Sequence, residues 1–131
     1  MWNQLTRVVR CHSDDRGTLV AWEEPVVPFA TSRVFFLVDL PVGAERGGHA
    51  HKECHELVIC LAGAMRVRLA TTSDQQDFIL NRPDQGLHIP PGHWIELTVE
   101  SPNTVVAVLC SDPYIESDYQ RTWAEFAEER G

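Results

Sequence analysis

Short apolar runs alternate with turn-forming residues along most of the chain. The runs are rich in Val, Ile, Leu, Thr and Phe, whereas Gly, Pro, Asn, Asp and Ser cluster between them. Runs spaced roughly 8–12 residues apart are typical of an antiparallel β-sandwich or barrel. Because some neighbouring runs will merge, we expect about nine strands. The candidate runs are Leu5–Arg10, Thr18–Glu23, Arg33–Leu40, Gly48–Lys52, Glu56–Leu61, Met65–Ala70, Asp77–Leu80, Leu87–Pro90, Ile95–Val99 and Thr104–Cys110.

Two of these runs show which side of a strand is buried. Met65–Leu69 alternates apolar residues with Arg66 and Arg68. Since successive side chains of a strand point to opposite faces, the apolar set should face the core and both arginines the solvent. Thr104–Cys110 is apolar on both faces, which indicates a strand buried between two sheets.

The last part of the chain changes to a helical period. Tyr119, Trp123 and Phe126 fall at i, i+4 and i+7, and Ser117 and Gln120 have the spacing of a capping box. We therefore expect a short C-terminal helix whose aromatic stripe packs against the barrel. A lid or a dimer contact is the alternative use of that stripe.

Composition narrows the class of protein. The 131 residues fit one domain, residues 1–131, and 44% of them are hydrophobic. No apolar run approaches the roughly 20 residues of a membrane span. The first residues lack the layout of a signal peptide, so we expect a cytoplasmic protein. Its four cysteines form no CxxC pair, and we expect them to be reduced.

Charge argues against one class of partner. The net charge is −8, with a single lysine in the chain. This removes the general attraction that nucleic-acid binding requires, so we expect no nucleic-acid partner. An anionic small molecule can still be met by cations concentrated at one site.

The candidate chemistry is concentrated in one stretch, which has the pattern Gly43, five residues, His49, one residue, His51, four residues, Glu56, six residues, Gly63. In an extended strand, residues two apart share a face, so both imidazoles should lie on one wall of a cavity. Glu56 stands at an odd offset from His51. We therefore expect a bend or bulge between the two, near residues 53–54.

This pattern resembles the first motif of the cupins, which implies a jelly-roll barrel that binds a divalent metal through His49, His51 and Glu56. The second cupin motif ends in a histidine ligand, but here Ile95 holds that position. His93 could replace it only after local rearrangement. A site of three ligands remains reasonable for a catalytic metal.

A closer resemblance extends over nearly the whole chain. Four stretches are similar to the sugar 3,4-ketoisomerases, which are WxcM-like cupins acting on dTDP-4-keto-6-deoxyhexoses. The stretches are Arg33–Phe36, Arg46–Lys52, Leu87–Glu96 and Asp112–Phe126.

The resemblance implies a metal-independent isomerisation in deoxyamino-sugar biosynthesis. The ketone moves from C4 to C3 through an enediol, without a cofactor, and the family's two histidines correspond to His49 and His51. Imidazole suits such proton transfers because its pKa is near neutral. We favour His51 as the base that removes the C3 proton, with His49 positioning or relaying.

Three departures from the family pattern leave other functions open. Phe35 and Phe36 stand where the family usually has tyrosine, Glu56 where it has glutamine, and Ile95 where it often has arginine. A carboxylate at 56 would raise the pKa of a nearby imidazole or ligate a metal. The alternatives are a mononuclear metal enzyme using His49, His51 and Glu56, and a non-catalytic cupin that binds a sugar nucleotide.

Several further side chains are candidates for binding a nucleotide sugar. Arg46, Arg33 and Lys52 lie near the histidines in sequence, and guanidinium geometry suits a diphosphate. Carbonyl hydrogen bonding for Arg46 and a structural ion pair for Arg33 are the alternatives. Trp94 and Tyr114 could stack on a base or sugar, or serve only in packing. The family resemblance also implies a homodimer.

Overall fold

The computed structural model describes residues 2–130, in which ten of twelve strands form two five-stranded antiparallel sheets. The strands are β1 Thr6–Val8, β2 Cys11–Asp14, β3 Gly17–Val20, β4 Arg33–Leu37, β5 Glu45–His51, β6 Glu56–Ala62, β7 Met65–Ala70, β8 Gln75–Leu80, β9 Gln85–Ile89, β10 Trp94–Val99, β11 Val105–Cys110 and β12 Tyr119–Gln120. Helix α1 spans Trp123–Arg130, and 3-10 turns span Trp2–Leu5 and Glu116–Asp118.

The first sheet has the order β1-β9-β6-β11-β4 and the second the order β12-β5-β10-β7-β8. Strands β2 and β3 form a separate hairpin. The core lies between the sheets, where Val58 and Val106 of the first pack with Leu69 and Leu97 of the second. This confirms the predicted all-β antiparallel fold with a short C-terminal helix, and the two sheets are compatible with the predicted cupin-type jelly roll. Within residues 2–130, no helix has the length and apolarity to cross a membrane.

The strand predictions hold best where the alternation is regular. Strand β7 has the predicted bounds, and the side chains of Arg66 and Arg68 lie on its outer face. They pair with Glu100 at 2.8 Å and Asp77 at 2.7 Å. Strand β11 is largely buried between β4 and β6, as the apolar run predicted.

The number of strands was underestimated. Asp15 and Arg16 form the turn of a tight hairpin in which Cys11–Asp14 pairs with Gly17–Val20. The run predicted at Thr18–Glu23 therefore has a partner strand, β2, that no run predicted. All of β2 and most of β3 are exposed. The hairpin therefore lacks the buried apolar face that produces alternation in a sequence.

The helix forms, but it begins later than its aromatic period predicted. Thr122 caps it by accepting a hydrogen bond from the amide of Glu125 at 3.1 Å, and the Thr122 hydroxyl contacts the Glu125 carboxylate at 3.2 Å. The predicted cap at Ser117 and Gln120 is wrong. Tyr119 belongs to β12 instead, where it pairs with a residue of β5.

The remaining aromatic residues of the helix pack as predicted. Phe126 is fully buried, and its ring lies 5.9 Å from that of Trp94 in β10. Trp123 covers the same Trp94 edge to face at 5.7 Å. The helix is thereby anchored to the second sheet.

Candidate active site

Both predicted histidines lie on β5, at the end where this strand turns into β6. Strand β5 ends at His51 and β6 begins at Glu56, so the corner predicted near residues 53–54 is confirmed. This break in the strand brings the Glu56 carboxylate to the same cavity as His49. Gly47 is required nearby, because its φ is +86° and a Cβ there would lie 2.8 Å from the carbonyl oxygen of Ile95.

The site is a cavity of about 550 Å³ between the two sheets. Strands β4, β6 and β11 supply one wall, whereas β5 and β10 supply the other. Its lining residues are Arg33, Phe35, Leu37, Glu45, Arg46, Gly47, His49, Glu56, Val58, Ile95, Leu97, Val108, Tyr119 and Arg121.

His51 lies behind His49 and between two carboxylates. The rings of the two histidines are 5.1 Å apart at 85°. Nδ1 of His51 lies 2.8 Å from Oδ2 of Asp118, and Nε2 lies 3.5 Å from Oε2 of Glu56. The amide of Glu53 also donates to Asp118 at 2.7 Å, which holds this carboxylate in place. The distance to Glu56 is long for a hydrogen bond, so Nε2 has no hydrogen-bond partner within residues 2–130.

These surroundings move the pKa values of the two imidazoles in opposite directions. Burial, together with the charge of His51, lowers the pKa of His49. Burial would also lower the pKa of His51, but the carboxylates of Glu56 and Asp118 outweigh it and raise that pKa. Hydrogen bonds from His51 and Glu53 lower the pKa of Asp118 against its burial. An ionised Asp118 can only accept, so Nδ1 of His51 carries the proton of their hydrogen bond.

Tyr119 completes the cluster around the histidines. Its ring lies 5.1 Å from His49 and 4.4 Å from His51. The guanidinium of Arg121 lies 4.2 Å from the centre of this ring, and both Nε and Nη2 of Arg121 contact Glu116, at 2.7 and 2.8 Å. The ring is therefore held from several sides.

Three guanidiniums border the cavity: those of Arg33, Arg46 and Arg121. Arg33 donates to the Tyr119 hydroxyl at 3.4 Å and lies over the ring of Phe35 at 5.2 Å. Within residues 2–130, neither Arg33 nor Arg46 forms an ion pair. Both positive charges are thus available to an anionic ligand.

Three of the predicted binding residues lie outside the cavity lining. Lys52 pairs loosely with Glu129 at 3.9 Å. Trp94 is buried beneath the helix. Tyr114 is exposed, and its hydroxyl contacts Glu116. Their roles in substrate binding stay predictions.

The residues that differ from the family pattern do not all face the cavity. Phe35 and Ile95 line the cavity, whereas Phe36 is exposed on the outer face of β4. His93, the possible replacement metal ligand, contacts the carbonyl oxygen of Pro90 at 3.1 Å, and its ring packs against Trp2. It is not among the groups of potential ligands that the structure brings together.

Sequence reasoning missed the contributions of Asp118, Tyr119 and Arg121. Asp118 and Tyr119 do fall within the tail that resembles the ketoisomerases. The helical period, however, assigned Tyr119 to a packing stripe. Asp118 reaches His51 across 67 residues of sequence, and no local pattern reports a contact of that range.

The residues present fit a divalent metal. His49, His51 and Glu56 each offer a ligand atom, and these atoms lie within 4.8 Å of one another. The buried Nε2 of His51 has no hydrogen-bond partner in the described part of the chain. Two imidazoles and one carboxylate are a common donor set for catalytic zinc or iron.

Comparisons with known proteins agree on one family. The FdtA model, described as WxcM-like, C-terminal, matches residues 2–131. The TDP-4-oxo-6-deoxy-alpha-D-glucose-3,4-oxoisomerase of Aneurinibacillus thermoaerophilus is 40% identical over 114 residues, covering 86% of this chain and 82% of that protein. QdtA, a sugar 3,4-ketoisomerase from Thermoanaerobacterium thermosaccharolyticum in complex with TDP, has a TM-score of 0.92 and 31% identity, covering 95% of this chain and 92% of QdtA. The WlaRB TDP-quinovose 3,4-ketoisomerase from Campylobacter jejuni has a TM-score of 0.88 and 34% identity, with coverages of 94% and 95%.

Proposed function

The chain belongs to the FdtA family of WxcM-like sugar-nucleotide 3,4-ketoisomerases, and we propose that it moves the ketone of a TDP-4-keto-6-deoxyhexose from C4 to C3. The observation that carries this proposal is the pair of imidazoles 5.1 Å apart, of which His49 lines the cavity and His51 lies behind it between the carboxylates of Asp118 and Glu56. These surroundings shift the two pKa values in opposite directions. A pair of titratable groups separated in this way is suited to divide acid and base roles.

His49 is the better placed of the two to remove the C3 proton. It lines the cavity, and its lowered pKa keeps the imidazole neutral at pH 7. A neutral imidazole can take the proton from C3 and return it to C4. This assignment differs from the preference for His51 drawn from the sequence.

His51 supports the reaction from behind His49. Its raised pKa favours the imidazolium, which Asp118 orients through Nδ1. A positive charge at this depth stabilises the negative charge that develops on the sugar oxygens when C3 loses its proton. His51 therefore lowers the barrier without itself removing the carbon-bound proton.

The guanidiniums account for recognition of a nucleotide sugar. Arg33 and Arg46 have no carboxylate partner within the described residues, and both border the cavity. Guanidinium is well matched to the oxygens of a diphosphate. We therefore assign these two side chains to the diphosphate of the nucleotide sugar.

A metal-dependent reaction is the second candidate, because Glu56 lies beside both histidines. A divalent metal on His49, His51 and Glu56 would act as a Lewis acid on the ketone. The two candidates differ in metal content and in the response to Glu56→Gln. Stoichiometric metal, lost together with activity in Glu56→Gln, would favour the metal enzyme. Full activity after exhaustive chelation would favour proton transfer alone.

We also propose a homodimer. In the sheets formed by residues 2–130, β4 is an edge strand, so its outer backbone groups can pair with a second copy. Val34 and Phe36 on this strand are 48% and 59% exposed, which is unusual for apolar side chains next to each other on one face. Light scattering should give the mass of a dimer, and Phe36→Lys should shift it toward the monomer. An unchanged mass in Phe36→Lys would place the contact elsewhere.

The test of function uses TDP-4-keto-6-deoxyglucose in deuterated water, followed by NMR. Ketoisomerase activity predicts a 3-keto product, whereas a binding protein would retain the nucleotide sugar without conversion. Binding without product, and without deuterium at C3, would therefore support a non-catalytic cupin or a different substrate.

A further inference from the structure

Moving a ketone from C4 to C3 requires two proton transfers. One proton leaves C3 and one is added at C4, which is the work assigned to His49. A second proton must leave the hydroxyl oxygen O3 and another must reach O4. A neutral imidazole occupied with the carbons does not supply that second transfer at the same time, so another donor and acceptor is needed in the cavity.

Tyr119 is the one cavity-lining side chain within residues 2–130 that carries a hydroxyl. Antiparallel pairing of β12 with β5 sets it opposite His51. Its ring contacts both imidazoles, with centroid distances of 5.1 and 4.4 Å. The phenol of Tyr119 therefore lies on the same wall of the cavity as His49, to which we assign the proton transfer between the carbons.

The contacts of Tyr119 orient its hydroxyl as well as its ring. Nη2 of Arg33 lies 3.4 Å from the phenol oxygen and can only donate to it. The phenol proton is consequently left free for a ligand in the cavity. Arg121, fixed by its two contacts with Glu116, covers one face of the ring at 4.2 Å.

We propose that Tyr119 is the catalytic residue that carries the proton between the two sugar oxygens, an inference that rests on the ketoisomerase function proposed above. As His49 takes the C3 proton, electrons of the C3–H bond form the C3–C4 double bond and those of the C4 carbonyl move to O4. Tyr119 donates its proton to O4, which gives the enediol. The phenolate then takes the proton of O3, the C3 carbonyl forms, and His49 returns its proton to C4. Both residues end in their starting protonation states.

An aromatic ring in this position could also serve only to pack against the imidazoles. Tyr119→Phe separates the two roles because it keeps the ring and its contacts and removes only the hydroxyl. Ser32→Ala is the matched control, since it deletes a hydroxyl just before β4 that donates to the carbonyl oxygen of Ser111 outside the cavity.

The experiment measures turnover and deuterium exchange with TDP-4-keto-6-deoxyglucose in deuterated water. In Tyr119→Phe, we expect kcat to fall by about 100-fold or more, within the range for loss of one acid–base group, with little change in KM. His49 still removes and returns the C3 proton, so deuterium should accumulate at C3 of the recovered 4-keto substrate. Ser32→Ala should behave as the wild type.

Two outcomes would overturn this role for Tyr119. Unchanged kcat in Tyr119→Phe would mean that the hydroxyl takes no part. Parallel loss of turnover and C3 exchange would mean that the tyrosine holds the imidazoles rather than moving a proton. Absence of both turnover and exchange in the wild type would instead count against the ketoisomerase function itself.

Discussion

Two pairs of histidines in this protein have nearly equal ring separations but opposite surroundings. His49 and His51 are 5.1 Å apart at the cavity. His55, just before β6, and His88, on β9, are 5.2 Å apart and stacked at 16°. The comparison separates the effect of spacing from the effect of environment.

The rings of His55 and His88 are hydrogen-bonded to each other. Nδ1 of His55 and Nε2 of His88 form a hydrogen bond of 3.0 Å, and Phe29 packs against both rings. Burial, with further contributions from His55 and Arg7, lowers the pKa of His88 to about 4. At neutral pH this imidazole is uncharged.

The cavity pair is asymmetric because carboxylates act on it. Asp118 holds Nδ1 of His51 and Glu56 faces Nε2, and these carboxylates raise the pKa of His51, whereas burial lowers the pKa of His49. Spacing alone therefore does not create the asymmetry on which the proposed proton transfer depends. The carboxylates separate the two pKa values, and His49 lines the cavity.

The largest effect should come from replacing a histidine of the cavity pair. We expect His49→Asn to lower kcat by about 1,000-fold, since it removes a general base, and to abolish deuterium exchange at C3. His55→Asn is the matched control and should retain turnover within about two-fold, because a substitution away from the chemistry changes little in the transition state. Equal losses in both variants would show that the comparison has no bearing on catalysis.

The next effect should come from removing the charge of Asp118. Asp118→Asn replaces a charged hydrogen bond worth about 1.5–3 kcal/mol, so we expect kcat to fall roughly 10- to 150-fold and the pKa of His51 to fall. NMR titration of the imidazole resonances measures that pKa directly. A fall in activity with an unchanged His51 pKa would assign Asp118 to loop structure alone, since it also binds the amides of Glu53 and Cys54.

A smaller effect on activity is expected for Glu56→Gln. This variant tests the difference in pKa between His49 and His51 through the pH dependence of activity. The proposed mechanism requires a neutral His49 and a charged His51, so activity should decline below the lowered pKa of His49 and above the raised pKa of His51. The Glu56 carboxylate raises both pKa values, so Glu56→Gln should move both limbs of the kcat/KM profile to lower pH. A profile that keeps its position would exclude Glu56 as a cause of the separation.

The smallest effect concerns the stability of the second pair. The pKa of His88 is about 4 in the folded protein against 6.5 for an ordinary histidine. Between about pH 6.5 and 4, His88 is protonated in the unfolded chain but neutral in the folded protein. The free energy of unfolding therefore declines as pH falls through this range. His88→Gln should remove roughly 2 kcal/mol of this decline, as measured by urea unfolding at pH 7 and pH 4.5. The exposed His12→Gln is the control, and a wild-type slope in His88→Gln would contradict the assignment.

Much of the fold could be predicted from local sequence patterns. Alternation identified β7 with its bounds, and the apolar run identified β11 as a buried strand. These patterns are informative because a strand with one buried face alternates apolar and polar residues, whereas a central strand is apolar on both faces. Strands β2 and β12 escaped prediction because an exposed hairpin and a two-residue strand have no such period.

Part of the candidate site was also determined by the sequence alone. The spacing of His49, His51 and Glu56 implied two imidazoles on one face and a corner that returns the carboxylate. This was possible because side-chain direction in a strand follows from residue number.

Only the tertiary structure decided how the two histidines differ. Asp118 and Tyr119 reach them through the pairing of β12 with β5, across a separation of 67 residues between Asp118 and His51. The pKa of an imidazole depends on charges within a few ångströms and on burial. Those distances are set by packing between segments remote in sequence. The sequence therefore predicted that both histidines lie together but could not predict how their pKa values differ.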